Sequence, residues 1–192
     1  GENMKDDILR MIENVFTQGI AFYTQDEAHP DYEGLMNFLS TLHLDLLRID
    51  ESKMKGASRD ELTEYLIDYA KAFYADKEKK ITPTVLRELE RMLVLRVVDT
   101  KWMDHIDAMD QLRQGIGLRA YGHEDPVRAY ANEGYDMFEE MNAAIQEDVV
   151  RWLFALTPET DTTRKRVARE VSNADKDRAT EQKTVVKGKR IG

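Results

Sequence analysis

Apolar residues recur at helical spacing along most of this chain. Over 4–23, Met4, Ile8, Met11, Ile12, Val15, Phe16 and Phe22 mark one face of an amphipathic helix. Pro30 disfavours helix at His29, so the stretch from Asp26 to Asp31 reads as a break. Leu35, Phe38, Leu39 and Leu42 then predict a short helix over 31–43, followed by a loop over 44–57 that ends at Gly56. Ser58 with Glu61 three residues on is a capping box, and it predicts a helix to about Lys79 with Leu62, Tyr65, Leu66, Tyr69 and Phe73 on one face.

Thr82-Pro83 starts the strongest element, with Thr82 as a cap and Pro83 in the first turn. Leu95, Val98, Trp102, His105, Met109, Leu112 and Ile116 step by threes and fours, a heptad-like seam. The glycines of Gly115-Ile116-Gly117 weaken helix and predict its end there. Leu118 to Glu124 reads as the connection. Asp125-Pro126 restarts a helix whose seam is Val127, Tyr130, Gly134, Met137, Met141, Ile145, Val149, Trp152 and Leu156, and Thr157-Pro158 ends it. Two long helices with matching stripes and a short link bury those stripes by folding back antiparallel. The predicted fold class is therefore all-α, with a hairpin of roughly 30 residues per arm, ~45 Å long at 1.5 Å rise per residue. No strand and no internal repeat is expected.

Charge changes the picture at one end only. The 192 residues carry a net charge of −9. From Thr157 to Gly192 there are 10 Lys/Arg against 6 Asp/Glu, a net of +4; residues 1–156 hold 18 against 31, a net of −13. The acidic body argues against a nucleic-acid surface, which needs dense Lys/Arg. The basic tail has no aromatic residue and reads as a linker or disordered end. The chain has no cysteine, so disulfides and thiolate metal sites are excluded. It has neither a secretory leader nor an initiator Met, and it reads as a piece of something longer. No apolar run approaches the ~20 residues of a transmembrane helix.

Candidate chemistry is sparse. There is no G-x-x-x-x-G-K-[ST] or G-x-G-x-x-G, so no phosphate cradle, and no Gly-x-Ser-x-Gly elbow. Asp99, Asp104, His105, Asp107 and Asp110 crowd one stretch, but there is no Glu-x-x-His pair, and the cluster reads as a solvated acidic face with one seam histidine. Trp102 and Trp152, with Met92, Met109, Met137 and Met141, read as packing between the arms rather than as a partner-binding surface. Tyr121 is the exception. It lies in the connection, beside Gly122, at the far end of a long lever where there is little core to bury it. Two readings stand: it packs back on Leu118, or it contacts something outside the chain.

The run from Leu95 to Ile116, LRVVDTKWMDHIDAMDQLRQGI, strongly resembles the bacterial preprotein translocase motor family SecA. So do Leu118-Arg119-Ala120-Tyr121, Asp125-Pro126, Tyr130, Glu133 and Met137-Phe138, without a gap over about 83–155. Residues 1–82 are similar more loosely, around Ile8-Leu9-Arg10-Met11-Ile12-Glu13. The chain departs at Gly117, where many members have His, and at Gly122-His123, where they have Ala-Gln.

The resemblance implies that 1–24 is the end of a long scaffold helix, 25–80 a small helical wing domain, 81–156 a two-helix finger and 157–192 a C-terminal linker. It implies that the family's motor drives unfolded preproteins through the SecYEG channel by ATP hydrolysis. The finger tip, here Arg119, Ala120, Tyr121, Gly122 and His123, would touch the moving chain, and the scaffold would restrain the ATPase. ATP and Mg would bind in upstream domains outside this chain, which itself would hold no catalytic residue, cofactor or metal and be inactive alone. Val185 to Gly192 is similar to the stretch before a small module that holds Zn. Implied partners are SecYEG, the preprotein and the upstream motor domains; anionic phospholipid and a second copy are further candidates, and nucleic acid is not. The implied location is cytoplasmic, peripheral on the cell membrane. The competing reading is a non-catalytic helical hairpin that regulates another ATPase.

Overall fold

The structure is a computed structural model in which residues 2–26, 28–54, 56–119 and 125–157 are described. Residues 2–156 form one unit of helices: α1 (Glu2–Tyr23), α2 (Tyr32–Thr41), the single turn α3 (Glu51–Met54), α4 (Arg59–Ile81), α5 (Pro83–Arg119) and α6 (Pro126–Ala155). A further 3₁₀ turn, Leu46–Arg48, lies where a plain loop was expected. Among the described residues there is no strand, and the all-α expectation holds.

Asp31, read as the end of a break, in fact caps α2 and accepts the Gly34 N–H at 2.8 Å. The predicted caps of α4 and α6 form. Ser58 and Glu61 make the reciprocal capping box of α4, with the Ser58 N–H donating to Glu61 at 2.9 Å. These bonds hold the Glu61 carboxyl below its ordinary range, the Ser58 N–H acting most strongly. Asp125 accepts from the Val127 N–H at 3.0 Å and Pro126 opens α6. Thr82 takes a different part: with φ 74° it ends α4, and α5 begins on the next residue.

The core sits where α1, α4 and the C-terminal half of α6 meet. Ile8, Ile12, Phe16 and Ile20 of α1 pack with Leu62, Leu66 and Ala70 of α4 and with Val149, Val150, Leu153 and Phe154 of α6. Phe73 meets Phe154 edge-on at 5.1 Å. Leu35 and Leu39 of α2, with Leu42 just after it, close one side, as their spacing predicts. Phe22, assigned to the apolar face of α1, points out instead, and Ile20 takes the buried place.

Two expectations about α5 are corrected. The helix runs through Gly115 and Gly117 to Arg119, so two glycines at ~1 kcal/mol each do not end a helix of 37 residues. The seam is also misplaced near the root. There the buried stripe is Leu86, Glu90 and Val97, with Leu93 and Val94 packed beside it, while Met92, Leu95 and Trp102 face solvent. A straight α-helix drifts ~20° per heptad from a 3.5-residue repeat, so one stripe cannot serve both ends of a long arm. The same drift turns Val127 and Trp152 out of the α6 seam and brings Val150, Leu153 and Phe154 in.

Candidate functional site

The site the sequence singles out is the bend between α5 and α6. Arg119 is the last residue of α5 and Asp125 caps α6. Ala120, Tyr121, Gly122 and His123 lie outside the described residues, as does the 158–192 tail. What can be built from the residues upward is the pair of arms that carry the bend.

The arms are antiparallel. Lys101 of α5 pairs with Asp148 of α6 at 2.8 Å, and both are largely buried. Further out, the His105 ring meets Phe138 at 6.1 Å between centroids. Further still, Met109 covers Gly134, where an added β-carbon would lie 2.9 Å from the Met109 Cε. As the α5 number rises the α6 partner's falls. The arms are about 55 and 45 Å long at 1.5 Å per residue. Half-buried Val98, Met109, Leu112 and Met137 and buried Met141 follow the predicted seam in this outer part. The tryptophans do not: Trp102 is 47% and Trp152 56% exposed, which corrects the reading of both as packing between the arms. Trp102 instead stands 5.8 Å from His105 on the outer surface.

The acidic stretch is as expected. Asp99, Asp104, Asp107 and Asp110 are exposed, and Asp110 binds Arg113 and Gln114 of its own helix. Among the described residues no group of three His, Asp or Glu could hold a metal ion.

The arms differ at their roots. Arm α6 is held mainly by apolar contacts, supplemented by Asn14 to Gln146 at 2.9 Å and by the Lys77 ammonium, which donates to the Leu156 carbonyl at 2.5 Å. Burial lowers the Lys77 pKa. Arm α5 is held by Leu86, Leu93, Val94 and Val97 and also by a polar network that sequence reasoning missed. Glu90 is fully buried and accepts a 2.8 Å hydrogen bond from the Tyr74 hydroxyl. Arg87 lies 2.9 Å from the other Glu90 oxygen, an ion pair too far off line to count as a hydrogen bond, and donates to Glu78 at 2.7 Å. Lys5 of α1 donates to the second Glu78 oxygen at 2.7 Å. Burial pushes the Glu90 carboxyl up, against the opposing pull of Tyr74 and Arg87, and pushes the Tyr74 hydroxyl up as well. The available signal was Glu90 on the stripe of Leu86 and Val97, with Arg87 three residues before it.

Comparison with known proteins decides the family. The domain described as SecA Wing and Scaffold matches residues 1–157. The chain belongs to that family. It is 45% identical over 194 residues to the protein translocase subunit SecA of Finegoldia magna, covering 100% of this chain and 21% of that one. It is 43% identical over 195 residues to protein translocase subunit SecA 1 of Alkaliphilus metalliredigens, covering 100% and 22%. It is 46% identical over 177 residues to SecA of Clostridium novyi, covering 90% and 21%. The chain thus spans about a fifth of the length of these SecA relatives and is a SecA C-terminal fragment. No helix among the described residues is long and apolar enough to cross a membrane.

Proposed function

We propose that this chain is the scaffold, wing and finger portion of a SecA translocase that couples ATP hydrolysis to movement of unfolded preproteins through the SecYEG channel. The divisions are 1–24 for the scaffold helix end, 25–80 for the wing, 81–156 for the finger and 157–192 for the linker. Arg119, Ala120, Tyr121, Gly122 and His123 form the tip, and Tyr121 is the residue that meets the moving chain. An aromatic ring grips side chains of many kinds, which suits a substrate without fixed sequence. The observation that carries the reading is the pairing of Lys101 with Asp148 and of Met109 with Gly134, which aligns two long arms behind one bend in a chain of this family. Such a lever transmits motion from a motor that it does not contain.

ATP and Mg belong to other parts of the longer protein, and Zn to a module after the linker. The absence of phosphate-loop motifs and of cysteine from the sequence supports this placing. The protein works at the cytoplasmic face of the membrane, with the scaffold restraining the ATPase and the basic charge of the tail suited to anionic lipid.

Crosslinking tests the tip. This chain replaces the corresponding segment of a full-length SecA relative, with a photoreactive phenylalanine at Tyr121. Irradiation during transport should join it to the preprotein, and a matched probe at exposed Asp68 should not. Equal crosslinking from both positions, or none from Tyr121 during active transport, refutes the reading.

A further inference from the structure

The two arms leave the core by joints of different kind. The root of α6 is secured chiefly by packed apolar side chains, among them Val149, Val150, Leu153 and Phe154. The root of α5 also packs Leu86, Leu93, Val94 and Val97 against the core, but it adds two polar bonds to α4, Tyr74 to Glu90 and Arg87 to Glu78, and Lys5 extends them to α1. The chain between α4 and α5 is one residue, Thr82, whose φ of 74° a β-branched side chain rarely adopts. So α5 has a pivot at Thr82 and two polar fasteners one and two turns beyond it. A buried ion and hydrogen-bond set is either made or broken, because a half-broken one leaves a buried polar group unpaired.

We propose that the Tyr74–Glu90 and Glu78–Arg87 bonds are a latch that sets the direction of α5, and that opening it lets α5 shear along a fixed α6 about Thr82. The hairpin is then a push-rod rather than a single rigid peg. Sliding one arm against the other at the root displaces the bend at the far end. The inference does not rest on what the bend touches, and its test needs neither channel nor preprotein.

The chain has no cysteine, so introduced pairs report only on themselves. Spin labels at Asp68→Cys with Asp104→Cys measure α4 to α5, and Asp68→Cys with Asp136→Cys measure α4 to α6; all three sites are exposed. In Arg87→Met the first distance should shift or broaden by about 2–5 Å, the scale of known helix shifts, while the second stays unchanged. Tyr74→Phe removes one bond at nearly constant volume and should act in the same sense, more weakly. It decides the matter if Arg87→Met fails to fold. Unchanged distributions in the folded variants overturn the latch. So does an equal shift in both pairs, because the arms would then move as one body.

Discussion

Met109 of α5 sits over Gly134 of α6, its terminal methyl 2.9 Å from where a β-carbon would stand, and this contact brings the outer arms close. The arrangement at Gly19 looks alike but differs physically. There the β-carbon would meet the edge of the Phe38 ring, which also stands 5.9 Å from the Tyr23 ring. A methyl at the end of a thioether can swing away; a packed ring cannot. Gly134→Ala should therefore lie within about 1 kcal/mol of the parent, helped by the better helix propensity of Ala. Gly19→Ala should lose about 1–3 kcal/mol through overpacking. Urea unfolding at one temperature compares the two, and the reverse order would contradict this account of the contacts.

The two tryptophans give a second comparison. Both are about half exposed, whereas Phe154 lies in the core. Trp102→Ala and Trp152→Ala should each cost less than about 1.5 kcal/mol, while Phe154→Ala should cost about 3–5 kcal/mol. Thermal melts followed by circular dichroism check the ranking. A tryptophan loss as large as that of Phe154 would show arms packed more closely than described.

Much of this architecture was legible in the residues. The Ser58–Glu61 box, the Asp125 cap and the opening prolines are local devices, so they predict their helix starts without knowledge of the fold. Leu35, Leu39, Leu42 and Val149 were legible because spacing alone decides which face they share. Phe22, Trp102 and Trp152 were not, because each lies at the edge of a stripe where a few tens of degrees of drift decide between core and solvent. Gly115 and Gly117 misled because propensity is a weak influence beside the continuing ladder of a long helix. At the bend, Arg119 is the end of α5, and Ala120 to His123 lie outside the described residues. Glu90 was overlooked because a carboxylate on an apolar stripe makes sense only once Tyr74, from α4, is brought to it.

Stability should carry the mark of Glu90. An ordinary glutamate ionises near 4.5, and burial raises Glu90 above that in the folded chain. Above pH 4.5 the folded state thus holds a proton that the unfolded state has released, and the contribution of this group to stability falls as pH rises until its folded pKa is passed. Glu61 and Asp76 act in the opposite sense. They are held below their ordinary 4.5 and 3.8 chiefly by the Ser58 N–H and by Lys80, and the stability they add is lost as pH falls. Comparing the parent with Glu90→Gln at each pH cancels those groups. The parent's stability relative to Glu90→Gln should decline as pH rises from 4.5. A difference that stays flat, or grows in the parent's favour, would contradict the burial argument.

The purified chain should neither turn over ATP nor melt at a higher temperature when Mg-ATP is added, since its sequence lacks a phosphate loop. Calorimetry with and without millimolar nucleotide measures this. A clear upward shift would mean a nucleotide site that the sequence does not disclose.

Transport is the most direct measurement. With this chain in place of the matching segment of a full-length SecA relative, Tyr121→Ala should sharply reduce delivery of an unfolded preprotein into SecYEG vesicles, leaving the helical content and melting temperature of the protein unchanged. Transport at the parent's rate would contradict the claim that the ring at the bend grips the moving chain.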